Sequence, residues 1–162
     1  DSKTGALMLD SNVMFDYNKA DLTEEGKAVL DQVLPIYCQV LMKEEYQDYL
    51  AEIIIDGYTD TDGDYDYNLE LSQKRSLAVA QYLTEIRENF LSSDEISELQ
   101  NYLTVNGHGS ANPVLDSDGN VDKDASRRVE VKFRLKDDEM INELNQIMNT
   151  DKTSDSEKSG SN

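Results

Sequence analysis

The chain predicts an α+β fold in which one mixed, four-stranded sheet is covered by helices on a single face, a two-layer sandwich. Three observations predict it. Residues 128–135 (RVEVKFRL) alternate apolar and charged side chains, the period of a half-buried strand. Residues 52–57 (EIIIDG) place three isoleucines in succession, which suits a central strand buried on both faces. Two longer segments carry apolar residues at helical spacing, and the elements follow the order strand, helix, strand, helix, strand, strand, with extra short helices and no internal repeat.

Residues 7–16 (LMLDSNVMFD) predict the first strand, with Val13 and Phe15 on one face. Thr23 predicts the N-cap of the first long helix, and Glu24 and Glu25 occupy its first turn, where the helix dipole favours acids. Val29, Leu30, Val33, Tyr37, Val40 and Leu41 form the inward stripe. Pro35 lies inside that run and predicts a kink or two helical pieces, because proline removes a backbone donor and crowds the preceding turn. Helical character extends to about Tyr49. After the isoleucine strand a second long helix spans roughly Asn68 to Glu88, and Ser92 with Glu95 predicts a capping box for a short helix ending near Asn101. Residues 102–107 predict the third strand. Residues 110–125, rich in Asp, Asn, Gly and Ser, predict a loop before the alternating last strand, whose Val129, Val131, Phe133 and Leu135 point inward. The domain so defined is residues 1–136. Residues 137–149 predict an amphipathic helix through Met140, Ile141, Leu144, Ile147 and Met148, and residues 150–162, with no large apolar side chain, a disordered polar tail.

At 162 residues the chain is long enough for one real core. Its 15 basic and 34 acidic residues give a formal charge of −19, which repels phosphate backbones and argues against nucleic acid as a partner. The lone Cys38 lies in the apolar phase of the first helix and reads as a small buried hydrophobe. No apolar run approaches the 18 or so residues that span a bilayer. Any membrane anchor or export signal is expected to lie outside this chain.

The chemistry concentrates in residues 57–75. If a helix begins near Asn68, then Asn68, Leu71, Ser72 and Arg75 fall on one stripe, which continues downward through Ala78, Val79, Tyr82, Leu83 and Ile86. The same face is polar in its first turns and apolar below, the pattern of a polar mouth over an apolar seat. Asp60 precedes the helix by a loop, and an acid and a guanidinium so placed can hold both ends of a zwitterionic ligand. Taken alone, Asp60 and Arg75 read first as a structural ion pair tying the loop to the helix.

The landmarks Phe15-Asp16, Gly57, Thr59-Asp60, Gly63, Tyr67-Asn68, Leu71-Ser72, Arg75, Ala78-Val79 and Leu83 precede a second set, Gly107, Gly109, Pro113 and Arg127-Arg128-Val129-Glu130. In order and spacing this series resembles the OmpA-like C-terminal domain shared by outer-membrane anchoring proteins, Pal lipoproteins and MotB-type stator subunits. The resemblance covers residues 11–135. It implies the OmpA-like sandwich, no enzymatic activity, and non-covalent binding of peptidoglycan through the diaminopimelate residue of its stem peptide. The implied ligand-binding set is Asp60 on the amine and Arg75 on the carboxylate, assisted by Asn68 and by Arg127 or Arg128, with Thr59, Leu71, Phe15 and Asp16 around them. It further implies an extracytoplasmic domain tied to a membrane only through a segment outside this chain, with a homodimer left open. The stator-type subunit is the alternative within the family. Diaminopimelate carries an ammonium and a carboxylate at the end of its side chain. A lysine in its place would leave Arg75 without a partner, a penalty of about 1–3 kcal/mol.

Departures from the family pattern are Tyr58 where histidine is usual, Ser126 where asparagine precedes the paired arginines, and an acidic loop after Asp60. Arg127 and Arg128 open a strand, so at most one of them faces the site. The acidic runs Asp60, Asp62, Asp64, Asp66 and Asp116, Asp118, Asn120, Asp122, Asp124 place oxygens at alternate positions, as a calcium loop does. Their glycines fall at the fourth loop position instead of the sixth, and no glutamate stands at the twelfth. They read as solvated surface with no cofactor, Asp62, Asp64, Asp116 and Asp118 being the weak metal candidates; a calcium-dependent interaction domain is the alternative of a different class. His108 reads as a turn residue, and neither it nor Cys38 sits in a catalytic motif.

Overall fold

The computed structural model describes residues 5–136, 142, 143 and 145–149. The strands are β1 (Leu7–Asp10), β2 (Leu50–Tyr58), β3 (Leu103–Gly107) and β4 (Arg128–Leu135). The helices are α1 (Ser11–Met14), α2 (Glu24–Leu41), α3 (Glu44–Gln47), α4 (Tyr65–Ile86), α5 (Ser93–Tyr102) and α6 (Lys123–Ser126), with a 3₁₀ turn at Arg87–Asn89. The sheet order is β1-β4-β2-β3; β2 and β3 are parallel and the other pairs antiparallel, so the sheet is mixed as predicted. The isoleucine strand is central, and the long α4 and α5 supply the crossover that two parallel neighbours require.

Strand alternation divides the sheet into two faces. Leu9, Ile53, Ile55, Val129 and Val131 pack with Leu30, Leu34, Cys38, Val79 and Leu83 of the helices in one core. The opposite face carries a polar cluster centred on Asp56, which is 3% exposed. Lys132 Nζ and His108 Nε2 each lie 2.9 Å from its carboxylate, and Asn106 Nδ2 donates to it at 3.1 Å. Burial would raise the Asp56 pKa, but the bonds from Lys132 and His108 outweigh it and hold the carboxyl below its ordinary value. A depressed folded pKa stabilises above the unfolded value of about 3.9, and that stability is lost as pH falls through the folded value. Asp56→Asn is therefore expected to cost about 1–3 kcal/mol near neutrality and to flatten the acid limb of melting temperature against pH; melts from about pH 2 to 7 check it.

Several local signals hold. Thr23 Oγ1 accepts from Gly26 N, and Ser92 and Glu95 form the reciprocal capping box. Several boundaries and phases differ from those the sequence predicts. The first strand ends at Asp10, because the Asp10 carboxylate accepts from Asn12 N at 2.9 Å and turns the chain into α1; Phe15 instead makes a bridge with Leu22. Pro35 does not divide α2, which runs as one helix to Leu41, and the helical turn before Tyr49 is the separate α3. The buried stripe of α2 is Leu30, Leu34, Cys38 and Leu41, rotated from the predicted one, so that Val40 is 44% exposed. In β4, Leu135 is exposed beyond the end of the core, while Val129 and Val131 face inward. The predicted loop of residues 110–125 contains the start of α6, capped by the Asp122 side chain.

Cys38 is fully covered, and burial pushes its thiol up to about 12. Residues 142, 143 and 145–149 are helical and exposed. The rest of the predicted 137–149 helix and the 150–162 tail lie outside the described residues. Among the described residues, no helix is long and apolar enough to cross a membrane.

Candidate functional site

The site forms where the first turns of α4 cross the ends of β2 and β3. Two glycines allow the crossing. A Cβ on Gly57 would stand 2.3 Å from the Ser72 carbonyl oxygen, and one on Gly107 would stand 2.4 Å from Gln73 N. The contact is then stitched by hydroxyls: Gly109 N donates to Ser72 Oγ at 2.9 Å, and Ser76 Oγ donates to the Asn106 carbonyl at 2.9 Å. Thr59 N donates to the Gly109 carbonyl at 2.7 Å, which ties the chain leaving β2 to the turn after β3.

This crossing orients the polar stripe of α4 toward a cleft of about 320 Å³. Of the candidate ligand-binding and metal residues, Thr59, Asp60, Asn68, Leu71, Arg75, Arg127 and Asp62 line it. Asn68, 5% exposed, donates to the Asp62 carbonyl at 2.7 Å and so shapes the loop after Asp60. Ser72 shares the stripe but is spent on the Gly109 contact.

Arg75 is also 5% exposed. Its Nε donates to the Lys19 carbonyl at 2.9 Å and its Nη2 to the Asp16 carbonyl at 3.3 Å, while the guanidinium lies over the Phe15 ring at 5.0 Å. Phe15 and Asp16 therefore position Arg75 from behind and do not line the cleft. Among the described residues no carboxylate forms an ion pair with Arg75. Burial, and secondarily the charge of Arg127, lowers its pKa below the ordinary arginine value, with Tyr67 and Asp60 pulling the other way. A desolvated guanidinium held by carbonyls and an aromatic ring, and facing a cleft, retains donors that a carboxylate can take.

Asp60 does not close the structural pair that its sequence position allowed. Its Oδ2 lies 2.5 Å from Arg127 Nη1, and its Oδ1 accepts from Asp62 N at 2.9 Å. Arg127 also contacts Asp124 and donates from Nε to Asn12 Oδ1 at 2.9 Å, so it joins α1, α6 and the Asp60 loop. Its pKa is raised: burial opposes the charge, but the Asp60 and Asp124 carboxylates outweigh it. Asp60 keeps lone pairs for an ammonium within the same cleft that holds Arg75.

Arg128 is a correction to the predicted set. It opens β4 on the face opposite Val129 and Val131, the side that also carries Glu130, whereas Arg127 precedes the strand as the C-cap of α6. There it pairs with Glu130 at 3.0 Å, donates to the carbonyls of Ser126 and Asn112, and lies 4.0 Å over the Tyr58 ring. It is 7% exposed and braces the fold. The cleft also contains Tyr17, Asn18, Gly63 and Tyr67, none of which the sequence reading placed in the site. Their signal was adjacency: Tyr17-Asn18 follow Phe15-Asp16, and Tyr67 precedes Asn68.

Two of the acidic residues use their oxygens internally: Asp62 pairs with Lys123 at 2.9 Å, and Asp116 accepts from the amides of Asp118 and Asn120. Asp64 occupies the N-cap position of α4 without a side-chain capping bond. Among the described residues no three His, Cys, Asp or Glu side chains converge as metal ligands.

Comparison with known proteins agrees with this architecture. The chain is 36% identical over 129 residues to Zorya protein ZorB of Escherichia coli O139:H28, covering 76% of this chain and 50% of that protein. It is 36% identical over 112 residues to outer membrane protein A of Escherichia fergusonii, covering 69% and 40% respectively. The chain thus spans half or less of the length of these relatives. Among solved structures, the periplasmic domain of Helicobacter pylori MotB (residues 78–256) has the same fold, with a TM-score of 0.57, 18% identity and coverage of 90% of this chain and 85% of that one. A model of the OmpA family matches residues 14–127, a span holding α4, the cleft and the Asp60–Arg127 pair, and the chain belongs to that family.

Proposed function

We propose that the cleft binds the diaminopimelate residue of a peptidoglycan stem peptide, and that the domain thereby anchors an envelope protein to the cell wall without catalysis. One observation carries the reading: Arg75 is buried on the cleft wall with no carboxylate partner, beside Asp60. The ligand's side-chain carboxylate takes the Arg75 guanidinium, and its ammonium takes Asp60, sharing that carboxylate with Arg127. Leu71 and Thr59 line the space between them. Family membership supports the same assignment. The reading places the domain outside the cytoplasm. What it tethers lies in the part of the protein that this chain does not span, and a stator-type subunit would require an ion-conducting membrane segment there.

Calorimetric titration with a stem peptide ending in meso-diaminopimelate, beside its lysine analogue, tests the proposal. The first is expected to bind saturably and the second about ten- to a hundredfold more weakly, since lysine leaves Arg75 unpaired. Equal affinities would remove the diaminopimelate assignment, and no heat with either would remove wall binding.

A further inference from the structure

The mouth of the cleft carries two tyrosines that the clamp does not use. Tyr17 is 88% exposed and Tyr67 45% exposed, yet both line the cleft. Tyr17 has no hydrogen bond or ring contact among the described residues, so nothing in the fold accounts for a large aromatic ring there. Tyr67, with Asn18 and Leu71, continues the cleft into a neighbouring recess of about 220 Å³ that Glu70 and Lys74 also line. The cleft at about 320 Å³ is at the small end of ligand sites, which run about 300–1,000 Å³. It accommodates the end of one residue, and the remainder of a stem peptide has to leave across this rim.

We infer that Tyr17 and Tyr67 form an aromatic platform for the neutral N-acetylated disaccharide that bears the stem peptide. The inference rests on the diaminopimelate reading of the cleft and extends it to the glycan strand. Two residues separate diaminopimelate from the sugar, a reach of up to about 7 Å of extended chain, which lets the first sugar ring lie at the rim of a cleft that holds only the end of one residue. Charge selects the class of ligand. Asp62 lines the cleft, and Glu70, paired with Lys74, lines the adjoining recess, on a chain of net charge −19 that repels an anionic polymer. The disaccharide is uncharged, because the muramic carboxyl is consumed in the amide to the stem. Pyranose rings present C–H faces that stack on an aromatic ring, and their hydroxyls donate to carboxylates and to the Asn18 amide oxygen.

The test compares two ligands by calorimetry, a diaminopimelate stem peptide free of sugar and the same peptide on its disaccharide. The proteins are wild type, Tyr17→Ala/Tyr67→Ala and Tyr17→Phe/Tyr67→Phe, each first shown by its melt to be folded. Wild type is expected to bind the glycopeptide about three- to tenfold more tightly than the peptide. That ratio is expected to fall to near one in the alanine pair and to persist in the phenylalanine pair, which keeps the ring faces. A wild-type ratio of one, or a ratio that survives the alanine pair, overturns the platform and leaves the clamp standing. Failure of wild type to bind either ligand overturns both.

Discussion

Arg75→Met is expected to lower affinity for a diaminopimelate stem peptide at least a hundredfold while leaving the melting temperature within a few degrees of wild type. The two halves of the prediction have one cause. In the free protein Arg75 is buried without a carboxylate, so its charge is desolvated without full compensation. Methionine fills similar space and removes that penalty. Against this stand the two carbonyl contacts to Lys19 and Asp16 and the approach to Phe15, together about 1–3 kcal/mol, so the net change in stability is small. In the complex the same guanidinium gains a charge-assisted, two-pronged partner, and its loss is worth about 3 kcal/mol or more, which is the hundredfold. Arg75→Lys keeps a charge but not the fork, and its affinity is expected to fall between the two. Titration and thermal melts on the same samples check this. Wild-type binding by Arg75→Met would remove the residue from the site, and a collapsed melt would make it a structural residue.

The legibility of this chain follows the range of the interactions concerned. Thr23 and the Ser92–Glu95 box were readable because each cap acts within three residues. The alternation of β4 and the polar stripe of α4 were readable because they repeat. The end of β1 was not, since the Asp10 turn is completed by Ser11 N donating to the carbonyl of Arg127, far away in sequence. The phase of α2 was ambiguous because Val33 and Leu34, and Val40 and Leu41, offer two adjacent apolar stripes; contact with the sheet chooses Leu34 and Cys38. In the site, alternation showed that only one of Arg127 and Arg128 could face the cleft, but not which. The choice depends on Asp60, Asn12 and Asp124 converging on Arg127, and on Glu130 and Tyr58 receiving Arg128. Tyr17 escaped, and Tyr67 stood only as a landmark without a role, because an exposed aromatic ring has no periodicity to betray it.

Gly57→Ala is expected to destabilise the fold by about 3–5 kcal/mol, a large part of the roughly 5–15 kcal/mol that holds a domain together. The new methyl would meet Ser72 O at 2.3 Å and Ser76 Oγ at 2.4 Å. The hydroxyl can rotate away. The carbonyl cannot, because it belongs to the backbone of α4, so helix and sheet must separate by about 1 Å to restore contact distance. That movement strains the Ser72–Gly109 and Ser76–Asn106 bonds, each worth about 0.5–1.5 kcal/mol, in addition to the overpacking cost of about 1–3 kcal/mol. For a domain of this size the sum corresponds to a fall in melting temperature of about 10–20 °C. Gly119→Ala provides the contrast. Its φ of +83° makes alanine strained there, but nothing lies within 4 Å of the added carbon, so the cost is about 1 kcal/mol. Because α4 also carries Asn68 and Arg75, Gly57→Ala is expected to weaken ligand binding even at temperatures where it remains folded, whereas Gly119→Ala is not. A Gly57→Ala melt within about 3 °C of wild type would mean that the helix can yield at this crossing, and that the close approach of α4 is not what positions the clamp.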